Sequence, residues 1–119
     1  MNEPRLPISK PNEHGVLSDG TTETVSQCGR SVATIDFALA EDGLYRISVN
    51  ISYGYGGFCS PIFADSMAFA TMAAARIAGL EELLRRWPSA SPSDPQRVHD
   101  ELSAMRQQVE SRLRQPSLF

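Results

Sequence analysis

The chain has 119 residues, 41% of them hydrophobic, which suffices for one small core and not for two. Its 14 acidic against 11 basic side chains leave a formal charge of -3, with a pI near 5.3. That balance argues against a protein whose main affinity is for phosphate backbones, so no direct nucleic-acid binding is expected. The longest apolar stretch, residues 67–75, is far shorter than the roughly 20 residues a membrane crossing needs, and none is expected. Cys28 and Cys59 lack CxxC spacing and the first residues lack a basic-then-apolar secretion pattern, which reads as two reduced thiols in a cytoplasmic protein.

Residues 1–27 hold Pro4, Pro7 and Pro11, several turn clusters and few large apolar side chains. Burial there cannot offset the entropy of ordering, so a mostly disordered arm is expected. Thr22, Glu23, Thr24 and Val25 allow one short edge strand within it.

From Val32 the pattern alternates. Ala33, Ile35, Phe37 and Leu39 share one face, and Tyr45, Ile47, Val49, Ile51 and Tyr53 do the same after Glu41, Asp42 and Gly43. Parity selects the loop. A two-residue turn opposes Leu39 to Arg46 and mixes apolar with polar. A three-residue loop pairs Leu39 with Tyr45, Phe37 with Ile47, Ile35 with Val49 and Ala33 with Ile51. The second arrangement also puts Gly43 at the left-handed position of a type I turn with a G1 bulge.

Residues 54–60 are too glycine-rich to prolong a strand. Then Phe63, Met67, Ala70, Ala74, Ile77, Leu80, Leu84 and Trp87 follow a 3–4 spacing that predicts one long helix over 61–87, laid across the hairpin's apolar face. Pro88 to Asp94 make a linker over 88–94. A second helix over 95–114 carries the seam Val98, Leu102, Met105, Val109 and Leu113. The predicted class is α+β: an antiparallel β-hairpin covered by the long helix, plus a second C-terminal helix. A two-stranded sheet is marginal alone, so extension by an N-terminal strand or by homodimerisation is expected.

Residues 115–119 read Gln-Pro-Ser-Leu-Phe. This segment resembles the pentapeptide by which bacterial replication and repair proteins dock on the β sliding clamp, a pattern of Gln, usually Leu, Ser or Asp, Leu and Phe. Gln115 matches the position held in a small polar site, Ser117 the third position, and Leu118 with Phe119 the pair that fills the clamp's apolar pocket. Pro116 departs from the usual Leu but favours the extended backbone such grooves accept. A match of this form arises at about 10⁻⁵ per window at average residue usage, so it stands as a signal even though it covers five residues of 119.

The other candidates read more simply as structure. Residues 54–60 match neither phosphate-loop pattern, and Lys10 is the only lysine. Tyr53, Tyr55 and Phe58 could stack on bases but have no basic groove around them. His14, Cys28, Cys59 and His99 lack zinc-site spacing, so no metal or cofactor is expected. Asp36 on the hairpin's polar face has no carboxylate partner, and neither histidine sits near a nucleophile, so no catalytic residue is assigned. The expected function is a small non-enzymatic adaptor or modulator, bacterial or phage, that docks on the sliding clamp through Gln115, Ser117, Leu118 and Phe119. The alternative is a structural or regulatory homodimer whose tail packs internally.

Overall fold

The computed structural model describes residues 6–114. Strands β1 (Ile8–Ser9), β2 (Val16–Leu17), β3 (Gly20–Cys28), β4 (Ser31–Ala40), β5 (Tyr45–Tyr53), β6 (Gly56–Phe58) and β7 (Ile62–Phe63) precede helices α1 (Met72–Arg85) and α2 (Gln96–Arg114). The class is α+β. Strand β4 is the centre of a five-stranded sheet, with β5 and then β6 on one side and β3 on the other. The short β1 runs parallel beside Leu39 and Ala40, beyond the point where β3 begins its pairing at Ala38. Strands β2 and β7 form a separate antiparallel pair.

Alternation along β4 and β5 buries Ala33, Ile35, Phe37, Val49 and Ile51 on one face. Leu39 stands opposite Tyr45, Phe37 opposite Ile47, Ile35 opposite Val49 and Ala33 opposite Ile51, the pairing that parity selects. Gly43, at φ 80°, donates its N–H to the Ala40 carbonyl and closes the loop in a conformation that a side chain would oppose.

Both helices join this core. Helix α1 contributes Met72, Ala75, Leu80 and Leu83, and α2 contributes Val98, Leu102, Met105 and Val109. Gly79 brings α1 close to the sheet: a Cβ built there meets Ile35 Cδ1 at 2.6 Å. Alanine at 79 gains about 1 kcal/mol of helix propensity. Overpacking against the fully buried Ile35 costs about 1–3 kcal/mol, and the close approach puts this site toward the upper end. Gly79→Ala is therefore expected to destabilise the fold by about 1–2 kcal/mol in urea titration.

The structure corrects two expectations. The segment read as a mostly disordered arm, 1–27, contains β1, β2 and most of β3 within its described residues. Strand β3 presents Thr21, Glu23, Ser26 and Cys28 opposite Phe37, Ile35, Ala33 and Ser31, so polar or small residues occupy the core-facing positions. A bulge between Thr24 and Ser26 breaks its period. It turns Val25 and Ser26 into buried positions together, and the Ser26 hydroxyl donates to the Met105 carbonyl of α2 at 3.0 Å. The sheet is thereby completed within one chain, which removes the reason for expecting a second copy.

The second correction concerns the long helix, which begins at Met72 rather than 61. Phe69 exchanges two backbone hydrogen bonds with Tyr45 at 2.8 and 2.9 Å, a sheet contact that a helix there would forbid. Thr71 then caps α1, its hydroxyl accepting from the Ala74 N–H at 3.0 Å. The buried face of α1 is accordingly Met72, Ala75, Gly79, Leu80 and Leu83, and Ile77 is exposed.

Polar contacts tie the layers. Arg76 Nε and Nη2 donate to Glu23 at 2.8 and 2.7 Å, which holds the Glu23 carboxylate below its usual range. The buried Glu101 of α2 accepts from the Ser31 hydroxyl at 2.7 Å and from Arg97 at 3.2 Å. The Ser31 bond leads in lowering its pKa below 4.5; burial opposes it, and Arg97 adds to it.

A carboxylate depressed in the folded state stabilises above its unfolded value and loses that contribution as pH falls through the folded one. Glu101→Gln should therefore be less stable than wild type near pH 7, with the difference narrowing as pH falls below the ordinary carboxylate range, as read from thermal melts across pH.

Candidate functional site

Gln115, Ser117, Leu118 and Phe119 lie outside the described residues. Within those residues a concavity of about 520 Å³ lies against β5, with Ile47, Ser48 and Val49 in its lining. Its volume falls in the range of roughly 300–1,000 Å³ usual for binding clefts.

Backbone alternation leaves part of the β5 edge without a strand partner, although Val49 there is only 2% exposed. Ala40 N–H donates to the Leu44 carbonyl at 2.9 Å, so Leu44, Arg46, Ser48 and Asn50 turn their backbone groups toward β4. Tyr45, Ile47, Val49 and Ile51 turn theirs the other way. Tyr45 is satisfied by Phe69, and Ile51 pairs with Phe58 of β6. Between them the chain leaves the sheet, running out through β7 to pair with β2, and returns only at Phe69. Among the described residues no backbone group pairs with the outward N–H and C=O of Ile47 and Val49.

The walls follow from that excursion. On one side stand Pro61, Phe63, Met67 and Phe69; on the other, Ala78, Glu81, Glu82, Arg85 and Arg86. Met67 is 76% exposed and Phe63 42%, an apolar rim kept in water although both fit the spacing of a buried stripe. Arg86 stacks over the Phe58 ring at 4.2 Å from its centroid, and Glu82 pairs with Arg85 and Arg86. Glu81 is exposed and has no ion pair among the described residues.

The opposite face of the sheet carries a small apolar cluster of Leu17, Ala38, Ala40 and Ile62 beside a polar one that is internally satisfied. Asp36 accepts from the Thr22 hydroxyl at 2.5 Å, the Asn50 amide at 2.8 Å and the Ser48 hydroxyl at 3.3 Å. The Asn50 side-chain oxygen in turn accepts the Ser60 N–H at 3.1 Å. A shallower cleft of about 340 Å³ adjoins Thr22 and Asp36. Each of these donors is aimed at a neighbour already in place, so the cluster fixes β3, β4, β5 and the start of the excursion to one another.

The aromatic trio separates. Tyr53 and Phe58 pack partly against the core while Tyr55 is fully exposed at the β5–β6 turn. His14 is exposed beside Glu13, and His99 contacts the Ser91 carbonyl at 3.1 Å. Cys28 is half-buried and Cys59 exposed. These four candidate metal ligands are thus spread over β3, α2 and two separate connections.

Sequence reasoning missed the groove because it placed Phe63 and Met67 on a helix. The available signal was Asp65 and Ser66, turn formers whose role is realised when Ser66 N–H and hydroxyl both donate to the Phe63 carbonyl. No helix among the described residues is long and apolar enough to cross a membrane. No family model matches the chain, and neither a curated protein nor a solved structure matches it.

Proposed function

We propose that this chain is a small non-enzymatic adaptor that docks on the bacterial replication sliding clamp through residues 115–119, in the cytoplasm of a bacterium or of a phage-infected cell. The observation that carries the reading is the placement of Gln115, Ser117, Leu118 and Phe119 at the positions the clamp-binding pattern requires. Arg112 and Arg114 are exposed in the last turn of α2, immediately before the motif, and this positive charge suits an acidic partner surface.

Leu118 and Phe119 supply the apolar contacts of this mode, each worth about 1.5–3 kcal/mol when buried. Replacing both by alanine should weaken binding to purified clamp by at least about 100-fold, with circular dichroism and melting temperature unchanged. Equal binding by wild type and the double variant would reject the proposal.

A further inference from the structure

We propose that the side chain of Gln108 closes the outer edge of β3, standing where the peptide group of a further strand would stand, and that it thereby keeps the chain from pairing edge to edge with a second copy. Strand β3 pairs with β4 alone, so its other edge ends the sheet. The ladder fixes which of its residues face outward. Ala40 bonds to Leu44, so the even-numbered residues of β4 face β5 and the odd-numbered ones face β3. Phe37, Ile35, Ala33 and Ser31 thus exchange bonds with Thr21, Glu23, Ser26 and Cys28. Thr22, Thr24 and Gln27 turn their N–H and C=O groups away from the sheet, and all three residues are exposed.

Composition does not protect this edge. Residues 20–25 read Gly-Thr-Thr-Glu-Thr-Val, rich in strand-forming threonine and without the lysine or proline that commonly blunts an outer strand. The one charge, Glu23, faces the helix layer and is neutralised by Arg76.

Gln108 supplies what composition lacks. A carboxamide carries the same donor and acceptor as a peptide group. Its Oε1 accepts the Gln27 N–H at 3.2 Å and its Nε2 donates to the Gln27 carbonyl at 3.3 Å, the pair of bonds that a neighbouring strand would make. The Ser26 hydroxyl shares its proton between this Oε1, at 2.6 Å, and the Met105 carbonyl, at 3.0 Å, which fixes the carboxamide to the bulged strand and to α2 at once. With Gln27 occupied and the bulge between Thr24 and Ser26, the flat free template shrinks to Thr22 and Thr24, too short to hold a partner strand. Gln27 and Gln108 are both exposed, so their bonds exchange with water and add little to stability. Loss of Gln108 should therefore show as self-association out of proportion to lost stability.

The full chain and its variants are compared by light scattering after size exclusion and by sedimentation velocity, from about 10 to about 500 µM, beside thermal melts. Wild type is expected to stay monomeric throughout. Gln108→Ala should melt within about 5 °C of wild type yet at least double its mean mass by about 100 µM. Adding Gln27→Pro to that variant removes an outward N–H without touching the ladder to β4, and should restore the monomer. Adding Thr24→Lys instead places a charge on the exposed edge and should do the same. Circular dichroism identifies whichever of the two double variants is folded, and that one decides. Gly79→Ala, destabilised but with its edge closed, should remain monomeric.

A wild type that self-associates as readily as Gln108→Ala, or a Gln108→Ala variant that stays monomeric, overturns the proposal. So does self-association that survives the edge substitutions, or that Gly79→Ala shows to the same degree. The sliding clamp enters no arm of the experiment, so this proposal and the adaptor reading fail independently.

Discussion

Replacing Phe37 by alanine is expected to destabilise the fold by about 3–5 kcal/mol, the largest single loss available among the described side chains. Phe37 is fully buried and is the largest side chain in that state. It sits where the layers meet: Thr21 and Ile47 flank it in the sheet, and Arg76 of α1 lies over its ring at 5.7 Å. Truncation removes the transfer energy of the ring and leaves a void that β4, the central strand, is poorly placed to collapse. A domain of this size holds about 5–15 kcal/mol in total, so the variant should sit near the edge of folding at room temperature. Urea titration followed by circular dichroism measures it. A loss under about 1 kcal/mol would mean that Phe37 is not at the centre of the core.

Met105→Ala should cost about 2–4 kcal/mol, and it tests a different joint. Met105 is fully buried, and its carbonyl accepts the Ser26 hydroxyl from the bulged strand. Its side chain belongs to the same cluster as Ile35, Val49 and Leu83. Helix α2 therefore unfolds with the sheet rather than ahead of it. The single tryptophan, Trp87, packs partly against this cluster, so its fluorescence and the far-ultraviolet dichroism should report one coincident transition in wild type and variant. Loss of helix signal before the tryptophan transition would show α2 to be a separate, weaker unit.

Where local pattern and tertiary packing agree, the fold was legible. Strict alternation from Val32 to Tyr53 and the parity of a three-residue loop are enough to set the β4–β5 register, because a one-residue slip would turn every apolar side chain to the wrong face. Helix α2 was equally readable from its seam and its flanking prolines.

Strand β3 was readable only in part, as the short edge strand at Thr22 to Val25, and its full span was hidden for a physical reason. Its core-facing Glu23 and Ser26 are satisfied by partners 53 and 79 residues away, Arg76 and Met105, so their burial depends on contacts that no local window contains. The bulge at Val25 then removes the periodicity that would otherwise have marked the strand.

The first part of the predicted long helix failed by the opposite route. Phe63 and Met67 continue a helical spacing, yet the Phe69 pairing with Tyr45 and the Thr71 cap place the boundary at Met72. The groove exists because of that mismatch. The β5 edge lacks a strand partner only where residues 59–68 depart from it, a feature of chain path rather than of composition. The docking motif is the reverse case: residues 115–119 were readable without any fold at all, since a linear peptide carries its specificity in order and type of side chain.

Isothermal titration of the full chain into purified bacterial sliding clamp, repeated with the clamp preloaded with free Gln-Pro-Ser-Leu-Phe peptide, bears most directly on the adaptor reading. Saturable binding that the peptide displaces in competition is the predicted result. Heat of mixing indistinguishable from dilution, or binding that a saturating excess of the peptide leaves untouched, would contradict it.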